Sequence, residues 1–135
     1  MEQFAPVKRS KDGQPVRYLI VDDSVFARKN LARMIETFGG QVAAEAGDGL
    51  TAISEFDRTH PDIVLMDITM PGMDGLTALK KIREIDPSAR VIMCSALGQQ
   101  RLILKAIQMG ARDYIVKPIQ PNRVIAALKK ALDLP

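Results

Sequence analysis

Five short apolar runs, separated by stretches with helical spacing, constrain the fold of this chain more than any other feature. The runs cover residues 18–21, 42–46, 63–66, 91–94 and 114–116. Four of them are continuously apolar, which is typical of parallel strands covered on both faces. The run that contains Glu45 is the weakest, which suits a strand at the edge of a sheet.

The stretches after these runs carry apolar residues three and four positions apart, as on one face of a helix. Ser24 or Asp23 can cap the first helix, and Pro121 suits the first turn of the last one. Strands that alternate with helices predict a parallel sheet with right-handed crossovers. We therefore expect the α/β class, as a flavodoxin-like, doubly wound, five-stranded parallel sheet of order 2-1-3-4-5 with five helices.

Composition narrows the kinds of site that the chain can build. Cys94 is the one cysteine and His60 the one histidine, which excludes a disulfide framework and a Cys-rich or His-rich metal site. A Ser-His hydrolase would have to use His60 itself. The net charge of +3, from 19 basic and 16 acidic side chains, argues only weakly for nucleic acid.

The length of 135 residues is that of one domain, and we expect the domain to occupy residues 17–135. Residues 1–16 are polar with scattered charge, and we interpret them as a flexible N-terminal tail without a signal peptide. No apolar run approaches the roughly 18 residues that a membrane helix needs. These features predict a cytoplasmic protein that binds neither membrane nor nucleic acid.

Polar residues stand where the predicted strands end, and ligands in such folds bind at the carboxyl ends of the strands. Asp22 and Asp23 follow the first run, Asp67 the third, Ser95 the fourth and Lys117 the fifth. Three neighbouring carboxylates repel, so the pKa of at least one should rise unless a cation offsets the charge. Oxygen ligands suit Mg²⁺, and a hydroxyl and an ammonium can donate to phosphoryl oxygens. An aspartate can then be the nucleophile that forms an aspartyl-phosphate.

The chain resembles the response-regulator receiver domain over residues 17–132, and most closely the stand-alone, CheY-like chemotaxis members of that family. The segments that carry the resemblance are VDDS (21–24), DGLTA (48–52), PDIVLMDITMPGMDG (61–75), MCSA (93–96) and YIVKP (114–118). The resemblance implies a monomeric, single-domain response regulator of two-component signalling, and not an enzyme. It also implies a histidine kinase of the CheA type, an output protein such as a flagellar motor switch protein, and a phosphatase as partners.

The resemblance assigns roles to the residues at the strand ends. It implies that Asp67 accepts the phosphoryl group, that Asp23 and Asp67 bind Mg²⁺ with the Thr69 backbone carbonyl, and that Asp22 acts through bound water. It further implies that Ser95 donates a hydrogen bond to the phosphoryl group and that Lys117 pairs with it.

The resemblance also implies a switch and a surface that the switch changes. Ser95 moves toward the phosphoryl group, and the ring of Tyr114 rotates inward, which alters the fourth helix, the fifth strand and the fifth helix. The Lys117–Pro118 bond is expected to be cis. Ser95 stands where Thr is commoner, and Thr69 and Leu97 occupy positions that tune dephosphorylation in this family.

Other interpretations of the same residues remain open. The protein could be a phosphorelay intermediate, an unphosphorylated scaffold, or an Mg²⁺-dependent phosphohydrolase with Asp67 as nucleophile. Haloacid-dehalogenase phosphatases carry a second Asp two residues after the first, and here that position is Thr69. The pattern Gly47-x-Gly49-x-x-Ala52 formally matches a dinucleotide fingerprint, but it follows the weak edge strand. Tyr114 could simply pack in the core, as strand aromatics usually do.

Overall fold

The structure, a computed structural model, describes residues 6–8 and 12–135. The strands are β1 (Arg17–Val21), β2 (Gln41–Ala46), β3 (Ile63–Asp67), β4 (Val91–Ser95) and β5 (Asp113–Val116). The helices are α1 (Val25–Thr37), α2 (Gly49–Thr59), α3 (Gly75–Ile85), α4 (Gln100–Gln108) and α5 (Pro121–Ala131). Within the described residues, none of these helices is long and apolar enough to cross a lipid bilayer.

The strands form one parallel sheet of order β2-β1-β3-β4-β5, which confirms the predicted fold class and topology. β2 lies at the edge and is only partly buried, whereas every residue of β3 and β4 is buried. β3 and β4 each continue one residue beyond the predicted apolar run, to Asp67 and Ser95. The strand pairing extends beyond the last apolar residue of each strand, because Asp67 pairs with Cys94 and Ser95 pairs with Val116.

Two apolar layers enclose the sheet, and alternate residues of β1 supply them. Leu19 and Val21 face the layer that includes Phe56 of α2 and residues of α3 and α4. Tyr18 and Ile20 face the opposite layer, which residues of α1 and α5 complete. Burial on both faces explains why the strands are continuously apolar instead of alternating.

Part of the predicted tail packs against the second of these layers. Val7 and Val16 are buried there, and the backbone N–H of Val7 donates to the carbonyl of Phe38 at 2.9 Å. Lys8 and Pro15 form an antiparallel bridge. The rest of the predicted tail, residues 1–5 and 9–11, lies outside the described residues, and the domain boundary at residue 16 stays a prediction.

Side chains cap the starts of α1, α2 and α3, which lie close to the carboxyl edge of the sheet. Ser24, and not Asp23, caps α1, because its hydroxyl accepts from the N–H of Ala27 at 3.2 Å. The Asp48 carboxylate accepts from the N–H of Thr51 at 2.8 Å at the start of α2. A carboxylate in that place disfavours the dinucleotide interpretation, since a pyrophosphate would need the same helix end.

Gly75 allows the start of α3 to approach the residue that follows Asp67. Its N–H donates to the carbonyl of Ile68 at 2.7 Å. A Cβ at Gly75 would lie 2.8 Å from the Cα of Ile68 and 2.9 Å from its carbonyl oxygen, both of them backbone atoms. The glycine therefore fixes the distance between α3 and the loop that carries the end of β3.

We expect Gly75→Ala to lower the free energy of unfolding by about 1–3 kcal/mol, because the loop after Asp67 must move to admit the methyl group. Urea denaturation measures this change. Gly47→Ala is the control, since a Cβ there would meet only the end of the Arg28 side chain, at 3.3 Å. It should unfold within about 0.5 kcal/mol of the wild type. Equal stability of Gly75→Ala and the wild type would contradict this account of the packing.

Candidate functional site

Three carboxylates meet at the carboxyl edge of the sheet. Asp22 and Asp23 follow β1, and Asp67 ends β3, the strand that pairs with β1. One carboxylate oxygen from each of the three lies within 4.8 Å of the others. Asp22 and Asp67 are buried, whereas Asp23 is exposed. The structure thus brings together the acids that the sequence places at neighbouring strand ends.

The Lys117 ammonium bridges two of these carboxylates. Its Nζ lies 2.9 Å from Oδ2 of Asp22 and 3.3 Å from Oδ2 of Asp67. The Lys117 backbone is fixed as well, since its N–H donates to the carbonyl of Ser95 at 2.7 Å. Lys117, which directly follows β5, therefore places a positive charge between the carboxylates of Asp22 and Asp67.

The cluster changes the protonation equilibria of its members. Burial raises the pKa of Asp67, the charge of Lys117 lowers it and that of Asp22 raises it, and the result lies above the ordinary value. Burial alone would lower the pKa of Lys117, but its hydrogen bond to Asp22 and the charge of Asp67 bring it above the ordinary value. Lys117 is therefore a cation at neutral pH and offsets part of the carboxylate charge.

Backbone and side-chain contacts orient the carboxylates. The N–H of Ser24 donates to Oδ1 of Asp22 at 2.9 Å, and the N–H of Thr69 reaches Oδ1 of Asp67 at the longer distance of 3.4 Å. Arg28 donates from Nη1 to the Asp22 carbonyl at 2.6 Å and forms an ion pair with Glu45 of β2 at 3.2 Å. Arg28 thus ties α1, β2 and the acidic loop together.

The donor set fits a divalent cation that prefers oxygen, such as Mg²⁺. Carboxylate oxygens converge here, and the nearby thiol of Cys94 is no competitor because burial raises its pKa to about 12. Soft metals that need a thiolate are therefore disfavoured. The carboxylates that could bind such a cation are those of Asp22, Asp23 and Asp67.

Ser95 is fully buried, and its hydroxyl has no hydrogen-bond partner among the described residues. It follows Cys94, whose register partner is Asp67, so its side chain belongs to the same edge of the sheet as the acidic cluster. A buried hydroxyl without a partner costs free energy and needs an explanation. An acceptor group attached to Asp67 would supply the missing partner.

Tyr114 stands on β5 with 37% of its surface exposed, so it does not serve as a core residue in this structure. The guanidinium of Arg123 lies 5.4 Å from the centre of the Tyr114 ring, within the range of a cation–π contact. Arg123 also binds the buried carboxylate of Asp113 at 2.9 and 3.2 Å. This ion pair is not among the predicted site features, although the sequence places an acid directly before Tyr114 and a base in the helix that follows.

An apolar groove of about 410 Å³ lies beside Tyr114, between α4 and β5. Ile103 and Val116 line it, together with Leu104 and Ile107, which are 60% and 40% exposed. In the sequence, Leu102, Ile103, Leu104 and Ile107 make α4 apolar on more than one side, which predicts that part of this surface is exposed. The exposure of Leu104 and Ile107 confirms this prediction. The exposed side of α4 therefore continues the surface that carries the Tyr114 ring.

Comparisons with known proteins agree with this geometry. The family described as response regulator receiver domain matches residues 18–129. The chemotaxis protein CheY of Bacillus subtilis (strain 168) is 51% identical over 117 residues, which cover 87% of this chain and 98% of that protein. The CheY of Thermotoga maritima is 52% identical over 114 residues, which cover 84% and 95%.

The fold is also similar to a solved structure, the CheX-CheY-BeF3-Mg+2 complex from Borrelia burgdorferi. The TM-score is 0.85 at 40% sequence identity, and the alignment covers 90% of this chain and 92% of the other. The residues that match the family model include nearly all of the helices and strands. They also include the acidic cluster of Asp22, Asp23 and Asp67.

The Asp113–Arg123 pair predicts a pH-dependent contribution to stability. Burial alone would raise the pKa of Asp113, but the hydrogen bonds from Arg123 lower it below its ordinary value of 3.8. A carboxyl whose pKa is lowered by folding stabilises the protein above its unfolded-state pKa, and loses this effect as the pH falls through the folded-state pKa. Asp113→Asn should thus cost about 1–3 kcal/mol near neutral pH and progressively less below about pH 4.

Urea denaturation at several pH values measures this difference from the wild type. Asp57→Asn, at an exposed position of α2, is the control and should change stability little at any pH. A cost of Asp113→Asn that stays constant down to about pH 3 would show that the carboxylate charge does not carry the contribution.

Proposed function

The chain belongs to the response regulator receiver domain family, and on that premise we propose that Asp67 accepts a phosphoryl group in two-component signalling of the chemotaxis type. The chain is a CheY-like response regulator. One observation carries the proposal: a lysine ammonium bridges Asp22 and Asp67 within a cluster of three carboxylates. Such an arrangement neutralises charge around a nucleophilic carboxylate.

In the proposed reaction, a carboxylate oxygen of Asp67 attacks the phosphorus of a phosphodonor. The new O–P bond forms as the bond from phosphorus to the leaving group breaks, and the leaving nitrogen or oxygen takes the electron pair. Lys117 is placed to donate to the phosphoryl oxygens, because its Nζ already lies 3.3 Å from Oδ2 of Asp67. Ser95 would donate its unpartnered hydroxyl to the same group.

Receiver domains bind Mg²⁺ at an acidic pocket, and the acidic cluster of this chain supports the same assignment. Asp23 and Asp67 would hold the ion with the backbone carbonyl of Thr69, and Asp22 would act through bound water. The ion would supply positive charge that offsets repulsion between the carboxylates and the phosphoryl oxygens. Lys117, which follows β5, would supply further positive charge to offset the same repulsion.

We further propose that Ser95 and Tyr114 transmit phosphorylation to the surface formed by α4, β5 and α5. Phosphorylation favours a state in which the Ser95 hydroxyl turns toward Asp67 and the Tyr114 ring moves inward. The change is a shift between populations, and its size is limited by how much better the phosphoryl group fits one state. The exposed ring of Tyr114 and the apolar groove beside it support this assignment.

The partners follow from the same proposal. A histidine kinase of the CheA type would supply the phosphoryl group, and an output protein such as a flagellar motor switch protein would bind the α4–β5–α5 surface. A phosphatase would be a third partner, and the similar structure from Borrelia burgdorferi, in which CheY is in complex with CheX, supports the existence of a further protein partner. We place the protein in the cytoplasm as a monomer that needs neither nucleic acid nor membrane.

The receiver unit is proposed to span residues 17–135, with residues 1–16 as a separate tail that contacts it through Val7 and Val16. The phosphohydrolase alternative gains no support from the site. The residue two positions after Asp67 is Thr69, whose hydroxyl accepts from Gln99 at 2.7 Å and cannot replace a carboxylic acid as general acid and base.

Incubation with acetyl phosphate and Mg²⁺ should label the wild type with up to one phosphoryl group per chain. Asp67→Asn should abolish the labelling, because the amide is no nucleophile, and so should removal of Mg²⁺ by EDTA. Intact-protein mass spectrometry measures the added phosphoryl mass. Asp57→Asn is the control with the same chemical change at an exposed position on α2, and it should be labelled like the wild type. Full labelling of Asp67→Asn would refute the proposal.

A further inference from the structure

Gln99 joins the two loops that follow β3 and β4. Its carboxamide oxygen accepts from the backbone N–H of Ala96 at 2.8 Å. Its amide nitrogen lies 2.7 Å from the hydroxyl oxygen of Thr69, 30 residues away in the chain. Ala96 directly follows Ser95, and Thr69 follows Asp67 by two residues. One side chain therefore connects the backbone next to Ser95 with the loop next to Asp67.

The position of Gln99 also links this bridge to α4. Gln99 is the residue that precedes the helix, yet its side chain makes no capping hydrogen bond there. Gly98, with a φ of +88°, turns the chain so that it can reach the helix start from β4. The carboxamide that could cap α4 is used to hold the helix start against Thr69 instead.

The other residues of this loop are exposed to solvent. Leu97 is 82% exposed, and Ala96 and Gly98 are exposed as well. The N–H of Ala96, which donates to the carboxamide oxygen of Gln99, belongs to the peptide group between Ser95 and Ala96. Any shift of the Ser95 backbone toward Asp67 would therefore move that N–H relative to Thr69 and strain the bridge.

We propose that Gln99 is a positioning residue, a latch that holds the β4–α4 loop and opposes the response of Ser95 and α4 to phosphorylation. The proposal rests on the proposed function, since it assumes that a phosphoryl group on Asp67 recruits Ser95. Loss of an interaction that is made in one state only shifts the equilibrium toward the other state. By linkage, opening the latch raises the affinity for a group that mimics the phosphoryl group.

The test is a titration with beryllofluoride, a non-covalent phosphoryl mimic, in the presence of Mg²⁺. The protein is labelled with fluorotyrosine, and ¹⁹F NMR then reports on only two side chains, the buried Tyr18 and the half-exposed Tyr114. Gln99→Ala should be half-saturated at a concentration about three- to tenfold lower than the wild type, as expected for loss of two partly exposed hydrogen bonds. Before any addition, its Tyr114 signal should already be shifted toward the saturated position.

Three further substitutions make the result specific. Gln100→Ala removes an exposed neighbour of the same type and should titrate like the wild type. In a Thr69→Val background, the effect of Gln99→Ala should shrink, because half of the bridge is already gone. Gln99→Asn, whose side chain is too short to reach both partners, should titrate like Gln99→Ala. Agreement between these two variants would show that the effect does not come from misfolding of one of them.

The outcomes separate the two proposals. If the wild type binds beryllofluoride but Gln99→Ala and Gln99→Asn bind it equally well or more weakly, the latch is refuted while the phosphoacceptor site stands. The latch is also refuted if Gln99→Ala has its full effect in the Thr69→Val background. A wild type that does not respond to beryllofluoride and Mg²⁺ refutes the proposed function, and the latch with it.

Discussion

The ammonium of Lys117 is the contact on which the rest of the site depends. Without it, the buried carboxylates of Asp22 and Asp67 would face each other at the edge of the sheet with no opposing charge. Burial raises the pKa of Asp67, and the charge of Lys117 offsets part of this effect, which favours the ionised carboxylate that the proposed reaction needs. The fold supplies this charge through β5, since Lys117 is also bound by its backbone to Ser95 of β4.

The same backbone connection places the proposed switch residues, Ser95 and Tyr114, on strands close to Asp67. Ser95 ends β4, and its neighbour Cys94 pairs with Asp67 on one side and with Ile115 on the other. Tyr114 lies one residue before Ile115, on the strand that Lys117 directly follows. Two strand pairings, of β3 with β4 and of β4 with β5, thus separate Asp67 from the strand that lines the groove along α4. The Ser95 hydroxyl, which has no hydrogen-bond partner in the part of the chain that the structure describes, and the exposed ring of Tyr114 both lie on these strands.

Much of this arrangement could be predicted from the sequence, because it depends on local patterns. Apolar runs with helical stretches between them determine a parallel sheet, and the residues after those runs must meet at one edge. Asp22, Asp67 and Lys117 lie there for that reason, and the Lys117–Pro118 bond is cis, as the family resemblance implies. Strand ends were less predictable, since the pairing continues into the polar residues Asp67 and Ser95.

Contacts made by long side chains could not be predicted in this way. The bridge from Gln99 to Thr69 and the pair of Arg123 with Asp113 each join elements whose relative distance only the folded chain sets. The same holds for Arg28, which reaches the Asp22 carbonyl from the first turn of α1. A charge or an amide in a sequence indicates that it can bind, but not which loop it will reach. These long side chains hold loops and elements in place, whereas the sequence motifs supply the residues of the site.

The most direct test of the central claim is chemical trapping of the phosphorylated residue. Borohydride reduces an aspartyl phosphate to homoserine, and peptide mass spectrometry then locates the altered residue. After treatment with acetyl phosphate and Mg²⁺, the account predicts homoserine at position 67 and unmodified aspartates at positions 22 and 23. Homoserine at position 22 or 23, or none at position 67 in protein that carries the phosphoryl mass, would contradict it.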